Sequence, residues 1–258
     1  RLRALCDQRK LMLIEDSCDA IGNTFQDKPT GRWSDITTTS FYAGHHMTSG
    51  GGGGMVLTDN AAQLNAARVL TGWGRALTEK DDRDIRERFG FRVNSVPFDG
   101  RSTYVAIGYN FKGVEMQAAF GLVQLKKLKR FNEIRERNFA RLHRFFERYE
   151  QHFVLPETNP ETRPYWLAFP LTIRKTSPIE RRHLLAYLER HEIQTRLLFG
   201  GNILRHPAYR RIRKRIAGPL TDADTILERS FLIGCHHGLT AAHLDYMIAI
   251  FEKYLKAI

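Results

Sequence analysis

A short apolar run that ends in two acidic residues constrains the fold of this chain more than any other feature. Leu11 to Ile14 form the run, and Glu15 and Asp16 follow it directly. Such a run is typical of a buried strand in a parallel sheet, and open α/β sheets bind their ligands at the carboxyl ends of these strands. We therefore expect a buried parallel strand that brings an acidic side chain to a ligand site.

Strands and helices alternate along the rest of the chain. The pattern predicts strands over 37–42, 55–58, 166–173 and 195–199, and helices over 59–70, 178–192 and 241–255. It predicts one long helix or two nearly collinear helices over 114–153. A polar, poorly periodic stretch predicts a long surface loop over 76–103. This alternation favours an α/β chain in two domains. We expect the larger domain over 1–130, a bridging helix over 131–153 and a smaller α/β domain over 154–258.

The composition bears on the compartment and on the completeness of the chain. Three cysteines among 258 residues are too few for a disulfide framework, so a cytoplasmic protein is expected. The sequence has no apolar run of 18 residues, which predicts a protein without a membrane span. The chain begins in mid-pattern at Arg1 rather than at Met. We therefore expect that an N-terminal part is missing.

The net charge of +12 raises the question of nucleic-acid binding. The basic residues concentrate over 126–148 and 205–215. The first stretch has apolar residues at helical spacing, which favours the solvated face of an amphipathic helix. The second stretch suits an anionic ligand, but no nucleic-acid motif accompanies it. We predict no nucleic-acid partner; the alternative, a non-catalytic nucleic-acid-binding chain, predicts DNA binding that weakens steeply with salt.

Asp16 has two interpretations. A carboxylate at the end of a buried strand is desolvated, so it needs a cationic or hydrogen-bonding partner. The protonated ring nitrogen of pyridoxal phosphate is one such partner, and a buried carboxylate there keeps the ring protonated, as an electron sink requires. The alternative is a structural role as a helix cap.

A second group of polar residues lies at the end of the next predicted strand. The hydroxyl of Ser40 suits a phosphate, and His45 returns to the same cleft five residues later. The adjacent His45 and His46 are also compatible with ordinary packing. Neighbouring histidines point apart and no Cys, Asp or Glu cluster lies at ligand spacing, so we predict no metal site. The run Gly50–Gly54 lacks the Gly-Lys-Ser/Thr of a Walker A loop and predicts a close backbone approach to a ligand or strand.

Three segments in this order carry a family resemblance. They are Glu-Asp-Ser-Cys-Asp-Ala-Ile-Gly (15–22), Ser-Phe-Tyr-Ala-Gly-His-His-Met-Thr (40–48) and Gly-Tyr-Asn-Phe-Lys-Gly-Val-Glu-Met-Gln-Ala-Ala-Phe-Gly (108–121). Together they resemble the pyridoxal-phosphate sugar-nucleotide aminotransferases and dehydrases. The resemblance implies the aspartate aminotransferase-like fold (pyridoxal phosphate fold type I), a mostly parallel sheet with a smaller C-terminal α/β domain.

The residue at position 45 distinguishes two groups within this family. Aminotransferases of this family have a lysine at this position, which binds the cofactor covalently, whereas imidazole cannot form that bond and remains a base. The chain is therefore similar to the lysine-less 3-dehydrases, such as those acting on CDP-4-keto-6-deoxy-D-glucose. This implies pyridoxamine or pyridoxal phosphate as cofactor and C3 dehydration of an NDP-4-keto-6-deoxyhexose, in deoxysugar or lipopolysaccharide O-antigen synthesis.

The resemblance also implies roles for individual residues. His45 is the base, Asp16 contacts the ring nitrogen, Asp19 lies near the 3-hydroxyl of the cofactor and Ser40 binds its phosphate. Asn110 reaches the cofactor phosphate of a neighbouring subunit, which implies a homodimer. Arg196 and Asn202 are weaker candidates for substrate contact.

The chain departs from the CDP-sugar enzymes at two places. The cluster-binding members of that group hold [2Fe–2S] through one Cys beside the strand-end Asp and three in a loop; Cys18 matches the first, but the loop after Arg75 has none. We therefore predict no cluster, and glutamate as a possible amino donor. The run Gly50–Gly54 replaces a usual Glu before Gly-Gly and is one residue longer, which leaves His46 as an alternative base. An aminotransferase or a catalytically degenerate member remains the alternative function.

Overall fold

The computed structural model describes residues 1–77 and 84–258. These residues form two compact units. The first comprises Arg1–Ile21 and Lys28–Lys127, and the second comprises Gly22–Asp27 and Leu128–Ile258. Both units contain helices and strands, as expected of an α/β chain. The domain boundaries at 130 and 153 remain a prediction.

The first unit contains a small sheet and several short helices. Its elements are α1 Leu2–Arg9, β1 Ile14–Asp16, β3 Lys28–Pro29, β4 Ile36–Ser40, β5 Gly54–Leu57, α2 Ala61–Thr71, α3 Ile85–Phe89, β6 Phe91–Val93 and β7 Val96–Phe98; β2, Thr24–Phe25, belongs to the second unit. The sheet has the order β1-β4-β5. β1 and β4 run parallel, and β5 is antiparallel to β4.

The first strand differs from the expectation in position and burial. β1 covers Ile14–Asp16 rather than 11–14, and it lies at the edge of the sheet. Leu11 and Ile14 are 56% and 61% exposed. The predicted burial was therefore wrong, because an edge strand has a neighbour on one side only and no described element of this unit covers its apolar side chains.

The predicted loop over 76–103 is wrong in its described part. Residues 84–103 contain α3, the hairpin β6–β7 and a 3₁₀ turn at Gly100–Ser102. Asn94 and Ser95 form the hairpin turn, with φ of 48° and 70°. Two consecutive positive φ values match the twist of the flanking strands, and Asn adopts them readily. Residues 78–83 of the predicted loop lie outside the described residues.

The second unit contains an antiparallel sheet and the long helix. Its further elements are β8 Phe153–Val154, β9 Thr162–Arg163, β10 Ala168–Ile173, α5 Arg181–Arg190, β11 Thr195–Arg196, α6 Thr221–Arg229, β12 Ser230–Gly234 and α7 Ala241–Leu255. Helix α4, Glu115–Phe146, begins in the first unit and ends in the second. It stops before residue 153 because the 3₁₀ turn Glu147–Tyr149 and then β8 follow it.

The main apolar core lies in the second unit and includes residues of its sheet and of helices α4, α5 and α7. Its order is β11-β12-β10-β8, with every pair antiparallel. Phe146, Phe169, Leu184, Phe231 and Phe251 are at most 1% exposed and belong to one continuous cluster. Helix α6 and the inner strand β12 were not predicted, although Phe231-Leu232-Ile233 is an apolar run. No helix of the described residues is long and apolar enough to cross a bilayer.

Candidate active site

The parallel pairing of β1 and β4 brings their carboxyl ends to one edge of the sheet. Asp16 lies opposite Thr38, and Ser40 ends β4 two residues later. The backbone N–H of Ser17 continues the ladder by donating to the carbonyl of Thr38, at 2.9 Å. Consequently the polar groups that follow the two strands belong to one region of the first unit, as α/β geometry requires.

Asp16 is exposed, so the expected desolvation was wrong. Its Oδ1 accepts hydrogen bonds from the backbone N–H of Cys18, at 3.1 Å, and from Oγ1 of Thr38, at 3.4 Å. Hydrogen bonds from the side chain and backbone of Cys18 lower the pKa of the Asp16 carboxyl. The same contact with Asp16 raises the pKa of the Cys18 thiol. Asp16 is therefore an accessible, ionised carboxylate, stabilised by hydrogen bonds instead of by a buried cation.

The neighbouring acid, Glu15, has a structural role. Its carboxylate accepts from Oγ of the buried Ser17, at 2.5 Å, and from the backbone N–H of Gly31, at 3.0 Å. Successive side chains of a strand point to opposite faces, so Glu15 and Asp16 serve different sides of the sheet. The Glu15 contacts tie the loop before β4 to β1.

A tight turn after β4 positions the imidazole of His45. The Oγ of Ser40 accepts from the backbone N–H of Tyr42, at 3.1 Å, which leaves the hydroxyl hydrogen available to another acceptor. The backbone N–H of His45 donates to the carbonyl of Tyr42, at 3.0 Å. The ring of Tyr42 also meets the His45 ring edge-to-face, with centroids 5.5 Å apart.

His45 and Asp19 contact each other directly. Nε2 of His45 lies 3.1 Å from Oδ1 of Asp19, and the two side chains are 22% and 44% exposed. His46, in contrast, is completely buried. The structure thus gives the two adjacent histidines different environments, with His45 at the surface beside a carboxylate and His46 in the interior of the first unit.

The glycine run forms an open loop that returns to the sheet. Gly50, Gly51 and Gly53 have φ of 79°, 105° and 105°, where other residues are strained. A Cβ at Gly50, Gly51 or Gly52 would meet nothing within 4 Å, whereas one at Gly54 would lie 2.5 Å from the carbonyl of Thr39. The expected close approach is therefore to a neighbouring strand, at Gly54.

Asn110 is exposed and lies apart from the strand ends in the chain. It forms an isolated antiparallel bridge with Gly72, just after α2. The backbone N–H of Trp73 donates to the carbonyl of Tyr109, at 3.0 Å, and fixes the same stretch. The structure does not test the predicted contact of Asn110 with a neighbouring subunit.

The two weaker candidates lie in the second unit. Arg196 is an exposed residue of β11, paired with Leu232 of β12. Asn202 is only 3% exposed, since its Nδ2 donates to Asp224, at 2.7 Å, and its Oδ1 accepts from the backbone of Leu204, at 3.2 Å. These contacts give Asn202 a structural role in the segment after β11.

Within 1–77 and 84–258, no group of three or more His, Cys, Asp or Glu side chains could hold a metal ion. Part of the cysteine-free loop after Arg75 lies outside these ranges. The expectation of no iron–sulfur cluster therefore stays a prediction.

Two contacts at the site were not predicted from the sequence. Tyr42 packs on His45, and Cys18 donates to Asp16. Both lie within three residues of the group that they contact, and a turn after each strand brings them back. The turn after each strand is the sequence signal that would have indicated these contacts.

A family model and two curated relatives agree on the family to which this chain is similar. The model of the DegT/DnrJ/EryC1/StrS aminotransferase family matches residues 1–252. The chain is 38% identical over 257 residues to the lipopolysaccharide biosynthesis protein RfbH of Salmonella typhimurium, covering 98% of this chain and 59% of the relative. It is 37% identical to dTDP-4-dehydro-2,6-dideoxy-D-glucose 3-dehydratase of Saccharopolyspora spinosa, covering 97% of this chain and 55% of that enzyme.

The fold is shared with solved structures. GDP-4-keto-6-deoxy-D-mannose-3-dehydratase of E. coli, with bound hydrated PLP, superimposes with a TM-score of 0.78 at 24% identity, covering 96% of this chain and 62% of that one. This likeness confirms the expected aspartate aminotransferase-like fold. The chain spans little more than half the length of the curated relatives named above. The match over nearly all of its own length shows that the chain belongs to the DegT/DnrJ/EryC1/StrS aminotransferase family.

Proposed function

We propose that this chain is part of a lyase that removes the C3 hydroxyl of an NDP-4-keto-6-deoxyhexose with pyridoxamine or pyridoxal phosphate. The observation that carries the proposal is His45, an imidazole where aminotransferases need lysine, in contact with Asp19 at 3.1 Å. The Saccharopolyspora relative named as a 3-dehydratase and the RfbH relative of lipopolysaccharide synthesis support it.

The residues at the sheet edge fit the cofactor. Asp16 offers an accessible carboxylate with a lowered pKa, which suits a protonated ring nitrogen. Ser40 has a hydroxyl hydrogen available for a phosphate oxygen. When bound, the cofactor supplies an amine that condenses with the 4-keto group and a protonated ring that delocalises electrons.

In this proposal each residue has one task. Asp16 keeps the ring nitrogen protonated, Ser40 binds the phosphate, and the imidazole of His45 takes up a proton. His45 is preferred over His46 because His46 is completely buried, whereas His45 is partly exposed and contacts Asp19. A general base must come within hydrogen-bond distance of the proton that it removes from the reacting molecule, and a fully buried side chain cannot do so.

The aminotransferase alternative requires a covalent link that neither histidine can form. The purified protein, loaded with pyridoxal phosphate, should lose the cofactor on dialysis even after borohydride treatment. Retention of a reduced, covalently bound cofactor would instead support an aminotransferase that uses a lysine elsewhere in the protein.

The dehydration itself has a direct test. The protein is mixed with pyridoxamine phosphate and CDP-, GDP- or dTDP-4-keto-6-deoxyhexoses, and the product is analysed by mass spectrometry for loss of one water. We expect this product from at least one substrate. If none of the three loses water, the proposal is wrong and a catalytically degenerate family member is the better description, with the run Gly50–Gly54 in place of the usual Glu as its cause.

We also propose a homodimer, with a second copy of this chain on the stretch around Asn110. Ile107, Phe111 and Met116 are 94%, 69% and 81% exposed, and large apolar surfaces of this kind are typical of interfaces. Burial of this stretch would let Asn110 reach the phosphate site of the partner. Glutamate as amino donor and a cytoplasmic location complete the proposal, and the three cysteines of the chain are free thiols, as a reducing compartment requires.

A further inference from the structure

The imidazole of His45 is held from two sides within the first unit. Nε2 lies 3.1 Å from Oδ1 of Asp19. Tyr42 meets the ring edge-to-face at 5.5 Å, with an interplanar angle of 65°. These contacts come from different elements, since Asp19 follows β1 and Tyr42 follows β4. The orientation of the ring is therefore set by tertiary structure and not by the turn alone.

The contact between Asp19 and His45 determines which ring nitrogen of His45 carries hydrogen. An ionised carboxylate only accepts hydrogen bonds, so the nitrogen facing it at this distance must carry hydrogen. A carboxylate beside an imidazole also favours the charged imidazolium over the neutral ring. A group that has just removed a proton from another molecule benefits from both effects, because its product state is the imidazolium.

We infer that Asp19 is the positioning residue of His45, holding Nε2–H and stabilising the imidazolium that forms when His45 acts as a base. This inference rests on the proposed function. It gives Asp19 a partner different from the 3-hydroxyl of the cofactor, which is the contact that the family resemblance implies. Asp19 acts through His45 and takes no proton itself, in the same way as the carboxylate of a catalytic triad orients its histidine.

Asp16 does not serve the same purpose. Its carboxylate is engaged by Cys18 and Thr38, and His45 makes the smallest of the favourable contributions that lower the pKa of Asp16. Asp16, at the end of β1, and Asp19, just after it, therefore have separate partners: Cys18 and Thr38 for Asp16, and the imidazole of His45 for Asp19. Substitution of Asp19 should alter His45, whereas substitution of Asp16 should alter cofactor binding.

The first measurement uses the free protein and does not depend on catalysis. Histidine ring nitrogens are observed by long-range ¹H–¹⁵N NMR in the wild type, D19N, D19E and E147Q. E147Q is the matched control, because it removes an equivalent contact between Nδ1 of His143 and Glu147, also 3.1 Å long. We expect D19N to shift His45 away from the Nε2–H form, D19E to restore it at least in part, and E147Q to move only His143.

The second measurement is steady-state dehydration with pyridoxamine phosphate. We expect D19N to lower kcat about tenfold or more with KM nearly unchanged, D19E to recover part of the loss, and E147Q to match the wild type. Because Asp19 is exposed, thermal melting should show all variants folded. If D19N fails to fold, the comparison of D19E with the wild type decides in its place.

Specific outcomes overturn the inference. An unchanged His45 spectrum in D19N shows that Asp19 does not hold the ring, and loss of cofactor affinity with unchanged ring signals assigns Asp19 to the cofactor. If the wild type dehydrates no substrate, the proposed function fails, while the NMR comparison still decides whether Asp19 orients His45. The two failures are therefore distinguishable.

Discussion

The two units of this chain use their residues for different purposes. In the second unit, Phe146, Phe169 and Phe231 are completely buried in a continuous apolar cluster. In the first unit, the described core is sparse, and the residues at the sheet edge are polar and partly exposed. Burial of apolar area is the main source of folding stability. We therefore expect changes in the first unit to affect chemistry and changes in the second unit to affect stability.

Replacement of His45 should give the largest effect, on activity alone. H45N removes the base and keeps a polar side chain of similar size, so kcat should fall by about 100- to 1000-fold. The melting temperature should stay close to that of the wild type, because the side chain is partly exposed. H183N is the control, since it removes an exposed histidine paired with Glu180 in the second unit. Wild-type kcat in H45N would contradict the assignment of the base.

Replacement of Phe169 should show the opposite behaviour. Phe169 is completely buried in β10, with ring centroids 5.0 Å from Phe139 and 5.4 Å from Phe146. F169A should reduce the free energy of unfolding by about 3–5 kcal/mol, from lost burial and the cavity left behind. F199A, at a position 79% exposed, should change it by less than about 0.5 kcal/mol. Urea unfolding measures both, and equal losses would show that the core does not lie where the structure places it.

A smaller, pH-dependent effect is expected at His237. Burial, with the charges of Arg135 and His236, lowers the pKa of His237 to about 4. In the unfolded chain the pKa of His237 is about 6.5. Between these values the unfolded state binds more protons, so the stability that neutral His237 contributes is complete above the upper value and falls as the pH drops toward 4.

The loss should be about 1 kcal/mol, because solvent screens a half-buried site. H237Q keeps an acceptor for Nη2 of Arg135, which lies 3.2 Å from Nδ1 of His237, and removes the titration. Melting temperatures between pH 7 and pH 4 should therefore fall less in H237Q than in the wild type. Parallel curves for the two proteins would exclude His237 as the cause.

The smallest effect is expected at Asp224. Hydrogen bonds from Arg205 and Asn202 lower its pKa to about 2, from a reference value of 3.8. The stabilisation is present above the reference value and is lost as the pH falls toward 2, because the folded state keeps the carboxylate charged longer. D224N should melt below the wild type at pH 5, and the difference should shrink toward pH 2. D222N, at a neighbouring exposed acid, should show no such convergence.

Local patterns predicted the positions of the strand-end residues better than their burial. Asp16 was placed at a strand end from the apolar run before it, and Ser40 from the predicted strand over 37–42; the parallel pairing of β1 and β4 brings those ends together. The exposure of β1 could not be predicted, because burial depends on which elements cover a strand and not on the strand's own residues. The contact between His45 and Asp19 joins residues that are far apart in the chain, so no local pattern contains it.

The hairpin at 91–98 and strand β12 show the limits of periodicity. Asn94-Ser95 is a weaker turn signal than Asn-Gly, and the strands on either side have three residues each. β12 has a short apolar run that could belong to a helix or a strand, and its pairing with β10 and β11 settles the choice. In both places the deciding information is the partner strand.

In the run Gly50–Gly54, backbone chirality restricts which residues can be accommodated. At Gly50 and Gly51 there is room for a methyl group, yet the backbone angles are those that an L-amino acid resists. Volume does not exclude other residues there; chirality does. A D-amino acid, which prefers positive φ, would therefore suit the φ of either position, whereas any L side chain would strain it.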